Sequence, residues 1–366
     1  MAGRDRSNFT SPDPDPKLGC MAEPVPNSEP QSGVEMNTEM NSFPVPSPIA
    51  RGSRSSLSGL RVLVILALAL SFTVLSGLRS GALQAAWEAI TGHEIPISGE
   101  PVAATHSKLS EHLVEWILTQ PPQVQMEELV QDAINHDQGA TEMIEKMVEG
   151  WRGHLKSTQK WQALEMAALY SNDLRVRAAA IEVNLAIYQV PKTPEEITML
   201  WQAGEADVKS RPGNAWVMGM LANRGVETDR VRELLQSWAH DPDEQSRFWA
   251  VEGLAHIGTD ETINDFIDVL HHDPSMNVRE RAGCSLAKSG MLTREQRMKA
   301  VPGLMDMADD KELNATTRSW VYQALREITD VSLPNDPAAW RNWYSEHGAE
   351  QAAKFHKSGA SVLGNS

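Results

Sequence analysis

Few residues in this chain have the types and spacing that chemistry requires. The clearest candidates for metal ligands are two adjacent histidines followed by an aspartate, His271-His272-Asp273. Adjacent side chains on a helix point about 100° apart, whereas metal-binding histidines on a helix usually recur at i and i+4. We therefore predict that this cluster is a solvated turn and that it holds no metal.

The two cysteines, Cys20 and Cys284, are too few for a disulfide framework and have no zinc-site spacing. Cys284 lies in an apolar helical stretch and is expected to be a small core residue. The sequence has no Gly-rich phosphate loop and no nucleophile elbow. It therefore predicts no catalytic, cofactor-binding or metal-binding residues and no small-molecule substrate, and we expect that the protein is not an enzyme.

The charge of the chain is strongly acidic, and it is unevenly placed. The 366 residues carry a formal charge of -16, yet residues 1–80 hold seven basic and seven acidic side chains. The whole excess therefore falls after residue 80, where 26 basic residues stand against 42 acidic ones. Such a surface repels phosphate backbones, so nucleic acid is excluded as a partner and a protein partner is favoured.

The first 80 residues are predicted to form a disordered tail followed by a membrane anchor. Residues 1–56 are rich in Pro, Ser and Asn and have too few apolar residues to form a core. Residues 62–78 are an uncharged apolar run between Arg61 and Arg79. A spanning helix needs about 20 residues, with about 17 as the lower limit, and flanking arginines extend the usable length. We predict a transmembrane signal anchor over residues 60–80.

Positive charge predicts how this anchor is oriented. Arg51, Arg54 and Arg61 precede it, whereas Arg79 alone follows closely. The positive-inside rule then places the N-terminus in the cytoplasm and the rest of the chain in the periplasm or outside the cell. On this topology Cys20 and Cys284 lie on opposite sides of the membrane and cannot pair. A cleaved signal peptide remains the alternative, although about 60 residues precede the apolar run.

A short phrase recurs after residue 160, and nearly every segment there has helical periodicity. In three copies an aspartate precedes an arginine at the start of an apolar helix, and a looser copy follows; the arginines are Arg177, Arg247, Arg279 and Arg318. The spacings of 70, 32 and 39 residues are typical of a stacked solenoid with a period of 20 to 50 residues. The predicted fold class is all-α.

Each unit is predicted to be a pair of antiparallel helices. In one unit the helices span residues 245–257 and 261–271. The aspartates at the turns, Asp241, Asp260 and Asp273, are expected to be N-caps. Since one pair cannot bury its apolar faces alone, neighbouring pairs must stack.

The phrase Asp-x-x-Val-Arg-x-x-Ala, with a leucine seven residues after the arginine, resembles the HEAT-repeat family, in particular the short bacterial type named after the phycobilisome lyases. The resemblance implies an α-solenoid in which the four arginines, with Asp173, Asp241 and Asp273, tie adjacent repeats together. The unit near residues 212–225 lacks the Val-Arg pair, so an irregular joint is expected there. One HEAT enzyme class binds iron through repeated His-Glu pairs, whereas this chain has a single such pair, His93-Glu94.

The sequence thus divides into a helical linker over residues 81–158, HEAT-like repeats over 159–332, a capping helix over 333–356 and a disordered tail over 357–366. We expect Trp340, Trp343 and Tyr344 to cover the last open apolar face, and Trp216, Trp249 and Trp320 to lie in the core. The predicted function is a membrane-tethered scaffold that binds protein along its concave helix row. The alternatives are an enzyme or enzyme subunit of the phycobilin-lyase type and a secreted repeat protein.

Overall fold

The structure is a computed structural model that describes the backbone of residues 108–363 and the side chains of residues 108–356. Over this range the chain is helical, with an isolated β-bridge between Lys108 and Gln138. No strand occurs in the described range, so the predicted all-α class is confirmed there. The predicted tail over residues 1–56, the apolar run over 62–78 and His93-Glu94 lie outside it.

Fifteen α-helices follow one another between residues 111 and 363 of the described part. They are α1 Glu111–Thr119, α2 Pro122–Ile134, α3 Ala140–Trp151, α4 Gln159–Leu169, α5 Leu174–Ile187, α6 Pro194–Ala206, α7 Arg211–Asn223, α8 Thr228–Trp238, α9 Glu244–Ile257, α10 Thr262–His272, α11 Met276–Cys284, α12 Arg294–Met298, α13 Val301–Asp309, α14 Ala315–Thr329 and α15 Pro337–Leu363. A 3₁₀ turn, Val208–Ser210, precedes α7, and a π-helical turn, Ser285–Ser289, extends α11.

The helices stack as two rows. Helices α5, α7, α9, α11 and α14, which we call the inner row, each contact the next member of the row. Helices α6, α8, α10 and α13, the outer row, each contact the inner-row helix that follows them in the chain. This alternation of stacked pairs is the solenoid arrangement that the repeat predicted, because each pair buries its apolar faces against its neighbours.

The ends of α9 and α10 agree with the sequence prediction to within one residue, but the N-caps differ. Helix α9 is capped by Asp243, whose carboxylate accepts a hydrogen bond from the Ser246 backbone N–H at 2.7 Å. The predicted cap, Asp241, instead accepts from the N–H of Asp243 at 2.9 Å, and Asp273 accepts in the same way from Ser275. The short side chain of an aspartate readily accepts a hydrogen bond from the backbone N–H two residues on, which forms a local turn before the helix. The sequence prediction therefore placed these N-caps too early.

Helix α10 has no side-chain cap, so the predicted cap at Asp260 is also wrong. The carboxylate of Asp260 forms an ion pair with Lys299.

Helices α7 and α9 approach each other so closely that their backbones touch. A Cβ placed on Gly219 would overlap the carbonyl group of Gly253, and one placed on Gly253 would lie 2.5 Å from the carbonyl oxygen of Ala215. Glycine is required at both positions because any side chain would separate the two helices.

The last helix closes the apolar face of the final repeat, as predicted. Asp336 accepts from the backbone N–H of Ala338 at 3.0 Å at the start of α15. Trp340 is fully buried and its indole N–H donates to the Pro334 carbonyl at 3.0 Å, while Trp343 and Tyr344 pack against the core. Helix α15 continues to residue 363, beyond the predicted boundary at 356.

Two predictions concern the membrane and the cysteines. In the portion of the chain that is described, no helix has both the length and the apolar character needed to cross a bilayer. Cys284 is buried as predicted, with 2% of its surface exposed. The other cysteine of the chain, Cys20, lies outside the described residues.

Candidate functional site

Arg247, near the start of α9, forms a buried joint between repeats. Nε and Nη2 of Arg247 donate to the two carboxylate oxygens of Asp273 at 2.8 and 3.2 Å, and Nη1 donates to the carbonyls of Asp241 and Pro242 at 2.9 and 3.0 Å. Only 7% of Arg247 and 5% of Asp273 are exposed. One guanidinium therefore ties the turn before α9 to the turn before α11, which is the structural role that the resemblance implied.

The joint that we expected to be irregular is present, but a different residue makes it. Arg211, the first residue of α7, donates from Nη1 to Asp241 at 2.6 Å and from Nε to the Gly204 carbonyl at 2.9 Å. It reaches the next turn as Arg247 does, although it lies one helical turn earlier in its helix. The sequence motif did not identify Arg211, because it specifies where an arginine stands in the sequence. It does not specify where the guanidinium group lies in the folded chain.

The two later arginines bond mainly to backbone. Arg279 donates to the Asp273 carbonyl and contacts the Thr317 hydroxyl at 3.5 Å. Arg318 donates to three carbonyls, those of Ala308, Asp310 and Leu313, at 2.6 to 2.9 Å. These two arginines therefore stabilise the turns between helices.

Arg177 does not tie its own repeat to the next one. Its Nη1 donates to the carbonyls of Lys288 and Gly290 at 3.2 and 2.8 Å, more than 110 positions along the chain. Arg297 donates to the same two carbonyls at 2.9 and 2.6 Å. The π-helical turn ends here, and carbonyls left without helical partners attract cations. Asp173, the expected partner, pairs with Arg175 instead.

The contact of Arg177 with the carbonyls of Lys288 and Gly290 closes the middle of the inner row. None of the 13 residues of α7 is exposed, and in α9 only Glu244 and Gln245 at the start are exposed. A helix buried on every side presents no surface for a partner. The predicted binding surface, a concave row of helices, is therefore not available along α7 and α9.

The space between α5, α9 and α11 is filled by charged side chains. Nη2 of Arg281 donates to Glu252 at 2.8 Å. Burial, together with Arg281 and Arg177, lowers the pKa of His256 to about 3, so that its imidazole is neutral. Burial and Arg177 lower the pKa of Arg297 to about 9. The cations are each held by carbonyls or a carboxylate, so this interior network stabilises the fold of the row.

One buried carboxyl group has a pKa close to neutral pH. Glu165 on α4 is 5% exposed, and burial raises its pKa to about 7. Burial and the charge of Glu165 also raise the pKa of the Tyr188 phenol. Such a carboxyl group could exchange protons near pH 7. As for metal binding, no group of three or more His, Cys, Asp or Glu side chains in the described range is arranged to hold a metal ion.

The histidine cluster links outer-row helices. His271 and His272 stack, with ring centroids 4.2 Å apart, and they pair with different aspartates: Nε2 of His271 lies 2.7 Å from Asp310, and Nδ1 of His272 lies 2.8 Å from Asp268. Asp268 also contacts His240, which follows α8, at 2.9 Å. Asp273, the third member of the predicted cluster, is buried in the Arg247 joint. The contacts of His271 with Asp310 and of His240 with Asp268 thus link neighbouring repeats, whereas the contact of His272 with Asp268 lies within α10.

These links predict a pH dependence of stability. The Gln236 carbonyl and then Asp268 raise the pKa of His240, and Asp265 adds a smaller effect in the same direction. A raised folded-state pKa stabilises the fold fully below about pH 6.5, the unfolded value, and this stabilisation is lost as pH rises through the folded value. We expect His240→Asn to lower the urea midpoint at pH 6 and to have a smaller effect at pH 8.5.

His154→Asn is the matched control, because the side chain of His154 is exposed. Its effect on the urea midpoint should be small at both pH values. An equal loss for His240→Asn at pH 6 and pH 8.5 would show that the ion pair with Asp268 contributes nothing.

The tryptophans of the repeats lie in the core, as predicted. Trp216, Trp249 and Trp320 are 3%, 5% and 7% exposed. Trp238 stacks on Trp201 at 4.5 Å and donates its indole N–H to Glu205 at 2.7 Å. Their large apolar area joins adjacent repeats, so these residues do not form a binding surface.

The geometry agrees with what is known of related sequences. Residues 202–287, from the second half of α6 into the π-helical turn, match the family model described as HEAT repeats. This segment contains the Arg211 and Arg247 joints and the close contact between α7 and α9. No curated protein matches the chain. Residues 202–287 are thus similar to HEAT repeats, and this match supports the HEAT-repeat family as the origin of the stacked helix pairs.

Proposed function

We propose that this protein is a membrane-tethered scaffold whose exported solenoid binds other proteins. The observation that carries the proposal is the match of residues 202–287 to HEAT repeats, which generally mediate protein–protein interaction and are usually non-catalytic. The chemistry of the described residues supports it, because Arg211, Arg247 and His271 are held in ion pairs between repeats.

The binding surface lies on the outer row and its edges. The inner row is closed along α7 and α9, whereas Met199 on α6 and Val208 in the following turn are exposed large apolar residues, at 47% and 44%. Trp116 on α1 is 41% exposed. Exposed aromatic and methionine side chains are enriched where proteins bind each other.

The tether is the apolar run over residues 62–78. Its length and its flanking arginines support a single span, and the excess of arginine before it supports a cytoplasmic N-terminus with the repeats outside.

Crosslinking in intact cells tests the scaffold. A photoreactive amino acid would replace Met199, Val208 or, as a comparison, Gly150, which is exposed on α3. We expect defined protein adducts, identified by mass spectrometry, at positions 199 and 208. Adducts of equal yield and composition at all three positions, or none at 199 and 208, would contradict binding through the outer row.

The tether and topology are tested separately. Intact mass of the purified protein distinguishes the anchor from a cleaved signal, because cleavage removes about the first 81 residues. Protease added to spheroplasts should digest the repeats, and their survival would place them in the cytoplasm. A peptide that joins Cys20 to Cys284 in a non-reducing digest would also overturn this topology, since both thiols would then have been on one side of the membrane.

A further inference from the structure

A small charged pocket lies where the end of α3 meets the turn after α5. Its volume is about 380 Å³, and it is lined by Glu149, Arg152, Gln189, Pro191 and Lys192. This volume is within the range of ligand pockets, which is about 300–1,000 Å³. The pocket is distinct from the repeat joints, and nothing in the HEAT-like arrangement requires it.

The ion pairs of the pocket leave donors for a ligand. Arg152 donates from Nε and Nη2 to Glu149 at 2.9 and 3.2 Å, and from Nη1 to the carbonyls of Leu185 and Val190 at 3.0 Å each. A guanidinium has five N–H groups, so one on Nη2 remains. Lys192 contacts Glu149 at 2.9 Å and Glu182 at 3.1 Å, which leaves one of its three N–H groups.

The two remaining donors are close together. Nη2 of Arg152 and Nζ of Lys192 both contact Oε1 of Glu149, at 3.2 and 2.9 Å, so one carboxylate can reach both. Hydrogen bonds from Arg152 and Lys192 lower the pKa of Glu149 to about 2, so Glu149 stays ionised. Glu182, the other partner of Lys192, also pairs with Arg224 at 3.4 Å, so the three cations and two carboxylates of this cluster sum to a single positive charge, which matches a monoanion better than a phosphate.

The backbone at Gln189 gives independent support. Helix α5 ends with the N–H of Gln189 bonded to the Ala186 carbonyl and the N–H of Val190 bonded to the Leu185 carbonyl, at 3.1 and 2.9 Å. This ending places Gln189 at φ +54°, the left-handed region where glycine is strongly preferred.

Helix α7 has the same ending and uses glycine there. The N–H groups of Gly225 and Val226 bond to the carbonyls of Ala222 and Leu221 at 2.9 and 3.1 Å, and Gly225 has φ +81°. Helix α2 also ends in this way, with His136 at φ +62°, and the His136 imidazole lies 3.8 Å from the Asp173 carboxylate. A residue other than glycine thus occupies two of these three endings, and its side chain lies beside charged groups at both. Strained residues of this kind cluster at ligand clamps.

We propose that this pocket binds one carboxylate of a protein partner, either an acidic side chain or a chain terminus. The carboxylate bridges Nη2 of Arg152 and Nζ of Lys192, and the Gln189 amide contributes a third donor. The proposal rests on the proposed function, since it names the chemistry by which the scaffold holds its partner. It also places a local positive site on a chain that is acidic as a whole.

Thermal unfolding of the full-length protein in mild detergent tests the site. The probes are N-acetylglycine for a chain terminus, N-acetylglutamic acid N-methylamide for an acidic side chain and inorganic phosphate, each at about 50 mM and constant ionic strength. A carboxylate with a Kd of about 10 mM should raise the Tm by about 2 °C, and a tighter one should raise it further. A shift with either carboxylate probe supports the proposal and identifies the source, whereas no shift with either, or an equal shift with phosphate, overturns it.

Two variants separate binding from folding. Gln189→Gly should raise the Tm of the unliganded protein, because it relieves the left-handed strain, and should abolish the carboxylate shift. Lys192→Gln should abolish the shift as well. The controls are Glu227→Gly, at another left-handed position with φ +45°, and Lys160→Gln, a surface lysine paired with Glu128 at 3.0 Å.

Both controls should keep the carboxylate shift. If Gln189→Gly and Lys192→Gln also keep it, the pocket is not the site. If crosslinking at positions 199 and 208 succeeds while the shift is absent, the scaffold stands and the carboxylate pocket fails.

Discussion

Replacing Gly219 with alanine should destabilise the protein by about 3 kcal/mol, the upper end of what overpacking a closely fitted core costs. The added methyl group would overlap the backbone carbonyl of Gly253 in α9, and a backbone atom cannot rotate away as the end of a side chain can. Helices α7 and α9 would have to separate along a contact that carries Trp216, Met220 and Trp249 in its core. The measurement is urea unfolding of the full-length protein in mild detergent, followed by tryptophan fluorescence.

Gly150→Ala is the matched control. Gly150 is exposed on α3, and a Cβ there would have no atom within 4 Å. Since alanine favours a helix by about 1 kcal/mol over glycine, this change should stabilise the protein or leave it unaltered. The same substitution should therefore have opposite effects at two helical glycines. Similar small effects at both positions would contradict the close packing of α7 on α9.

The sequence was informative where a local pattern determines the structure. Helical periodicity predicted the paired helices, and the boundaries of α9 and α10 were within one residue. Large apolar side chains within repeats predicted that Trp216, Trp249 and Trp320 are buried. The Asp336-Pro337 pair predicted the start of the capping helix. In each case the determining residues are neighbours in the chain.

The sequence was uninformative where the partner of a side chain is a distant backbone group. Arg177 has the right position for an inter-repeat joint, yet it bonds to the carbonyls of Lys288 and Gly290. Every residue has a carbonyl, so no pattern of side chains marks these two as acceptors. The closure of the inner row along α7 and α9 therefore could not be predicted from the sequence.

The pocket was missed for a related reason. Its residues come from the end of α3 and the turn after α5, which lie about 40 positions apart and carry no motif. A signal did exist in Gln189, since the turn after α7 has Gly225 in the same place. It can be recognised only once the two helix endings are known to be equivalent.

Arg247→Ala should cost about 3–5 kcal/mol, because removing one member of a buried ion pair leaves the other charge without compensation. The Asp273 carboxylate would keep the backbone N–H of Ser275 as a donor but would lose two guanidinium hydrogen bonds, and the carbonyls of Asp241 and Pro242 would lose theirs. The matched control is Arg230→Ala. Its pair with Glu227 at 2.5 Å is exposed, and such pairs contribute about 0–1 kcal/mol.

The shape of the unfolding curve tests the role of the joint more directly than its midpoint. In a stacked repeat protein each unit is stabilised mainly by its neighbours, so weakening one joint uncouples the units on either side of it. Arg247 links the turn before α9 to the turn before α11, and α9 and α11 also pack against each other. We therefore expect Arg247→Ala to broaden or split the urea transition, whereas Arg230→Ala should leave a single one. A uniform shift of one sharp transition would show that the pair adds stability without coupling the repeats.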